Sequence, residues 1–287
     1  MSIRPTLGRM AAVLALGVTG TSVALAAPMV TDWGYSLTTE WITSGPNAPQ
    51  YTSGGGTQVN TATVLSWGAN KTSSQNRNPA HWGGSSSSQR RSGLVITPSG
   101  PVSDTNLVTN GAAVDTHTIT HYNNEISNSF ATLRTASVES TLTLTPLLPD
   151  PPYGSGPLDP LTKVFTVNFI ETPNSSRCPD TGSASVCDDI FVLAAGGLTQ
   201  SFDLLGITYT LEIGAPGLGP LGAVACGLAG AESDCVGFRT PEFQNTPVTF
   251  NFRISAQEST TVPEPGVLAL LGLGLAAVGM RRRRARG

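Results

Sequence analysis

"LTKVFTVNFI" (residues 161–170) decides the fold class. Leu161, Phe165, Val167 and Phe169 fall on alternate positions, which places them on one face of a strand and scatters them around a helix. The same period of two recurs along the chain. "YSLTTEWI" aligns Tyr35, Leu37 and Trp41; "TQVNTATVLSW" aligns Val59, Leu65 and Trp67; "SVESTLTLT" sets Val138, Leu142 and Leu144 against Glu139, Thr141 and Thr143. "ITYTLEI" contributes Ile207, Tyr209, Leu211 and Ile213, and "VTFNFRI" contributes Val248, Phe250, Phe252 and Ile254. No segment between the two ends of the chain carries a 3.6-residue period. The connections, such as "SGPNAPQYTSGGG" and "PLLPDPPYGSGPLDP", are dense in Gly, Pro, Ser and Asn. About nine or ten half-buried strands of this kind predict an all-β fold, a single antiparallel β-sandwich with a jelly-roll or immunoglobulin-like outline.

The two ends differ from this body. Arg4 and Arg9 precede an apolar run from Met10 to Leu25, and Ala24-Leu25-Ala26 supplies a small-x-small cleavage site. That pattern predicts a secretory signal peptide over residues 1–26 and a mature domain over 27–258. The remainder, 259–287, holds Pro263-Glu264-Pro265, an apolar segment from Gly266 to Met280, and the basic run Arg281, Arg282, Arg283, Arg284. Fifteen residues at ~1.5 Å each span ~22 Å, short of a ~30 Å hydrocarbon core. A segment that short suits a temporary transmembrane anchor, with its arginines retained in the cytoplasm.

Between residues 27 and 262 nine Lys and Arg face eighteen Asp and Glu, a net charge of −9. A domain this acidic lacks the basic face that phosphate neutralisation needs, so nucleic acid is excluded as a partner. The four cysteines fall as Cys178-x8-Cys187 and Cys226-x8-Cys235. In an exported chain these read as two disulfides, and among three possible connectivities the local pairs 178–187 and 226–235 are favoured. Zinc ligands are usually spaced two to four residues apart, so no metal is expected.

"DTHTITHYNNEI" (115–126) is the densest polar constellation. On a strand His117 and His121 share a face but stand ~13 Å apart, too far for one metal ion. His121 is expected instead at a strand end, hydrogen-bonding a turn started by Asn123 and Asn124. The chain has neither a G-x-S-x-G elbow nor an H-E-x-x-H pair. Asp188-Asp189 would point to opposite faces of a strand and so make a poor glycosidase pair. No catalytic residue and no cofactor is predicted. Three Trp-Gly dipeptides occur, at 33, 67 and 82. Trp33 and Trp67 read as core, whereas Trp82, within the polar excursion 69–91, is expected at the surface as a ligand contact.

Thr120-His121-Tyr122-Asn123, with "LSWGAN" (65–70) and "RSGLVI" (91–96) upstream and "STLTLTPL" (140–147) downstream, resembles the signature of the THxN family of PEP-CTERM proteins. The resemblance covers roughly residues 33–256 and rests on Thr120, His121 and Asn123. The tail is similar to the PEP-CTERM sorting signal. That likeness implies export through the Sec translocon, transient anchoring in the inner membrane, and cleavage near Pro263-Glu264-Pro265 by an exosortase. It further implies delivery to the cell surface or extracellular matrix of a Gram-negative bacterium that makes exopolysaccharide. The tail, the lack of a catalytic motif and the Ser/Thr/Asn-rich surface together give the expected function: a non-catalytic surface or biofilm-matrix protein that binds extracellular polysaccharide. The competing readings are a secreted hydrolase of extracellular glycan and a purely structural matrix or adhesion subunit.

Overall fold

A computed structural model of the chain describes residues 28–149, 156–174, 178–185, 187–193 and 198–257. The expected signal peptide and the sorting tail, with Pro263, Glu264, Pro265 and Arg281–Arg284, lie outside the described residues. Among the described residues no helix is long and apolar enough to cross a membrane.

The first strands in chain order are β1 (Asp32–Trp41), β2 (Gln50–Tyr51), β3 (Val59–Asn60), β4 (Val64–Gly68) and β5 (Arg91–Thr97). They are followed by β6 (Val102–Val108), β7 (Val114–Tyr122), β8 (Leu133–Leu148), β9 (Leu161–Ile170) and β10 (Asp189–Leu193). The last are β11 (Thr199–Leu204), β12 (Ile207–Gly214), β13 (Gly219–Pro220), β14 (Val236–Thr240) and β15 (Asn245–Ala256). One sheet runs β13-β14-β10-β9-β8-β1-β6, with β2 added on β8; the other runs β11-β12-β15-β7-β5-β4-β3. Neighbouring strands pair antiparallel throughout. The all-β, two-sheet expectation holds.

The alternating positions bury as the sequence predicts. Val138, Leu142 and Leu144 of β8, and Phe165, Val167 and Phe169 of β9, form the inner face of the first sheet. Val138, Phe165, Val167 and Phe169 pack opposite Leu65, Trp67, Ile119 and Val248 from the second, and Leu142 and Leu144 opposite Tyr209, Leu211, Phe252 and Ile254. Trp33 and Trp67 are both fully buried, as expected of core tryptophans. Strand β10, "DIFVL", is buried along its whole length. Phe191 and Leu193 enter the main core, while Ile190 and Val192 meet Leu221, Ala225, Cys226 and Cys235 on the other side. The short helix α1 (Ala223–Leu228) and the Cys226–Cys235 disulfide form that cover. A strand covered on both faces accounts for the unbroken apolar run.

Two expectations need correction. "TQVNTATVLSW" is a hairpin rather than one strand, because Thr61 closes a turn onto Val64 and Val59 pairs back onto Ser66. The excursion 69–91 is built around a buried tryptophan instead of presenting an exposed one. Trp82 has no exposed surface; its indole N–H donates to the Gln75 carbonyl at 3.2 Å. Buried Arg91 fastens both ends, with its guanidinium on the Ala69 carbonyl at 2.6 Å and its backbone N–H on the Trp82 carbonyl at 2.9 Å. Trp82 therefore cannot stack on a ligand in this conformation. Burying an aromatic of that size is favourable, and its one polar atom keeps a partner in the Gln75 carbonyl.

Gly93 makes this burial possible. A Cβ there would stand 2.6 Å from the Trp82 ring and 2.5 Å from the Leu65 carbonyl oxygen. Gly93→Ala should destabilise the protein by ~1–3 kcal/mol through overpacking, read as a lower urea midpoint. An unchanged midpoint would show that Trp82 does not pack against β5.

Candidate functional site

Strand β7 alternates so that His117, Ile119 and His121 point inward, and Asn123 continues the same side beyond the strand end. His117 pairs with the Gly100 carbonyl at 3.0 Å, away from the rest of the site. The apolar cavity that His117 lines, about 70 Å³, is walled by side chains such as Leu37, Phe165 and Phe252 and holds no reactive set.

His121 and Asn123 are fully buried against the first sheet. The His121 ring lies near-parallel to Trp67 at 6.2 Å and edge-on to Phe169 at 4.9 Å. Its Nε2 stands 3.9 Å from Asp189 Oδ2, too far for a hydrogen bond. Neither ring nitrogen has a partner among the described residues. The expected bond from His121 to the following turn is not made. Asn123 and Asn124 do not close a tight turn either: Asn123 Nδ2 donates to the Thr240 carbonyl at 2.9 Å and Asn124 Nδ2 to the Arg91 carbonyl at 2.8 Å.

Three carboxyl groups from the first sheet or its ends complete the cluster. Asp189 opens β10, is fully buried, and accepts from the Thr172 backbone N–H at 2.8 Å through Oδ1. Glu171, just past β9, accepts the Trp67 indole N–H at 2.8 Å. Glu242 lies between β14 and β15. Asp189 Oδ2, Glu171 Oε1 and both Glu242 oxygens are buried without a hydrogen-bond partner among the described residues. Burial is the first cause of every shift here. It pushes His121 down to about 3. It raises Glu171 to about 8, against the Trp67 N–H, and Glu242 to about 7, with Glu125 adding repulsion. Asp189 rises well above its ordinary value through burial and then the charges of Glu171 and Glu242. At neutral pH the site is therefore a neutral imidazole among carboxylic acids that mostly keep their protons.

Such a cluster can store protons and join the sheets, but its unpaired oxygens are closed to solvent and so to substrate. Among the described residues no three His, Cys, Asp or Glu side chains are placed to hold a metal ion. Sequence reasoning missed Glu171 and Glu242, which lie far from the TH-x-N residues in sequence at strand ends. Asp188 and Asp189 do point apart: Asp188 accepts the Ala184 and Ser185 backbone N–H groups, closing its loop, while Asp189 enters the cluster. Of the two expected disulfides, 226–235 is formed and 178–187 is not: the thiol of Cys178 in that loop hydrogen-bonds the side chain of Cys187 instead.

Outside this wall an open groove is lined by Asn78, Tyr122, Asn123, Asn124, Phe243 and Asn245, with small residues between them. Trp82 meets Tyr122 edge-on at 5.6 Å from beneath. Phe243, which sequence reasoning also missed, is 58 % exposed and has a φ of 61°.

A family model for the PEP-CTERM protein-sorting motif matches residues 261–284. This match implies an exported protein processed by an exosortase, with transient anchoring in the membrane. No curated protein matches the chain.

The protonation pattern fixes a pH dependence. Glu171 rises from 4.5 to about 8 on folding, so stability is lost as pH climbs between these values. His121 falls from 6.5 to about 3, so its effect is confined to pH below 6.5. From pH 6.5 to 8 only the carboxyl effect remains, and in urea unfolding Glu171 alone should contribute a loss on the order of 1–2 kcal/mol. Glu171→Gln, which can still accept from Trp67, should reduce that slope by the Glu171 share and leave the part due to Asp189 and Glu242; an equal slope in the variant would contradict the assignment.

Proposed function

We propose that this chain is the substrate of a sorting system and not an enzyme. Residues 1–26 direct export through the Sec translocon, 259–287 hold the chain briefly in the inner membrane, and an exosortase cuts near Pro263-Glu264-Pro265. The product, residues 27–258, works at the cell surface or in the biofilm matrix of a Gram-negative bacterium as a non-catalytic β-sandwich that binds extracellular polysaccharide. The match of residues 261–284 to the sorting motif carries this reading.

Several features support the finer parts. Thr120, His121 and Asn123 stand where the THxN signature requires them in sequence, and the last two are core residues that a family could share for structural reasons. The Cys226–Cys235 disulfide suits an oxidising destination, and the contact between Cys178 and Cys187 favours a second bridge there. A hydrolase needs carboxyl groups that reach substrate, whereas the unpaired oxygens of Glu171, Asp189 and Glu242 are buried. A purely structural subunit would self-assemble without affinity for glycan.

Replacing Glu264 by alanine tests the routing. The variant should keep its tail, accumulate in the membrane fraction and be depleted from surface and medium, as read by fractionation and mass spectrometry of the new C-terminus. Unchanged processing and delivery would overturn the proposal.

A further inference from the structure

We infer that the groove between the 78–83 segment and the start of β15 is a binding site for an uncharged stretch of polysaccharide, with Phe243 as its stacking platform. The inference deepens the polysaccharide-binding reading above and rests on it.

Phe243 supplies the first argument. A phenylalanine with φ of 61° sits in the left-handed region, which costs a bulky residue ~1 kcal/mol or more. Glycine or asparagine would remove that cost. Exposing the ring forgoes most of its burial as well, so the one contact that offsets the cost among the described residues is with Arg90. The Arg90 guanidinium stands 4.8 Å from the ring centroid and is itself paired with Glu125 at 3.1 Å. The ring is thereby steadied from one side while staying largely open to solvent. Flat apolar faces held open in this way suit the C–H face of a pyranose.

The amides supply the second argument. Asn78 Oδ1 is engaged by the Ala80 backbone N–H at 3.1 Å, which orients its Nδ2 donors. Asn124 is the complement: its Nδ2 is engaged by the Arg91 carbonyl, which orients its Oδ1 acceptor. Asn245 is exposed and stands directly across the strand pair from Tyr122. The groove thus offers oriented donors and acceptors whose geometry is set before any ligand arrives, the condition under which hydrogen bonds add affinity. Vicinal hydroxyls, each both donor and acceptor, match such a set.

Charge narrows the ligand class. None of the residues lining the groove is acidic or basic, and Arg90, which stacks on Phe243, is paired with Glu125. The body of the domain, residues 27–262, carries a net charge of −9, which repels uronic-acid and sulfated chains. Neutral hexopyranose chains fit both facts.

The test titrates the exported protein calorimetrically with cellohexaose, laminarihexaose, mannohexaose and β-1,4-galactohexaose, with polygalacturonate as the anionic arm. At least one neutral hexasaccharide should bind. Phe243→Gly should weaken that binding about tenfold or more while leaving the melting temperature unchanged or higher, because glycine accepts the left-handed backbone. Asn245→Ala, at an exposed position, should weaken it with no change in melting temperature. If a hexasaccharide binds equally well to both variants, the site is elsewhere and the groove assignment falls while polysaccharide binding stands. If no neutral hexasaccharide binds, or only polygalacturonate does, the groove assignment falls; with no binding in any arm, polysaccharide binding falls with it. The routing proposal, read from Glu264, is independent of every outcome.

Discussion

His121 from the second sheet and Asp189 from the first face each other at 3.9 Å in a space with no water-exposed atom. An ion pair there would have to repay the desolvation of both charges without a hydrogen bond between them. The neutral pair avoids that cost, and burial likewise favours the protonated forms of Glu171 and Glu242. Trp67, also from the second sheet, spans the same gap and gives its indole N–H to Glu171 at 2.8 Å. The sheets are joined here by polar atoms held uncharged, within a ring of Trp67, Phe169 and His121 packed 4.9–6.2 Å apart.

The buried cluster also sets the geometry of the surface above it. With His121 fixed inward, Tyr122 must face the opposite side, where β15 sets Asn245 across from it. With Asn123 tied to Thr240, the chain leaving β7 passes beside β14 and holds the segment with Glu242 and Phe243 at the groove wall. Trp82 props Tyr122 from below, and Gly93 leaves room for it. The buried cluster and the open groove are the two faces of one strand end. Three consecutive residues, His121, Tyr122 and Asn123, connect them.

Much of this architecture is legible in the sequence. The period of two locates β1, β8, β9, β12 and β15 and assigns their inner faces, because long strands covered on one side leave a strong alternation. It misleads over residues 59–67, where Val59 and Leu65 fit one strand on paper but a turn at Thr61 folds the segment back. Trp82 defeats sequence reading for a related reason: a polar neighbourhood in sequence says nothing about a single large ring that finds the slot left by Gly93, eleven residues away. The carboxyl cluster is beyond its reach. Residues 121, 171, 189 and 242 meet only through the order of strands in two sheets, and local spacing carries no trace of that order. His121 reads as structural from sequence, but through the wrong mechanism, since its burial depends on partners that local spacing does not place.

The protonation state of the cluster underlies the way the sheets are joined, so side-chain NMR of the exported protein, labelled at histidine and glutamate, addresses it most directly. At pH 7 His121 should show a neutral imidazole that resists protonation down to pH well below 6.5, and the Glu171 carboxyl should still carry its proton. A His121 imidazolium at pH 7 beside ionised carboxylates would contradict it. The sheets would then be held by a buried ion pair, and the neutral-cluster explanation would fail.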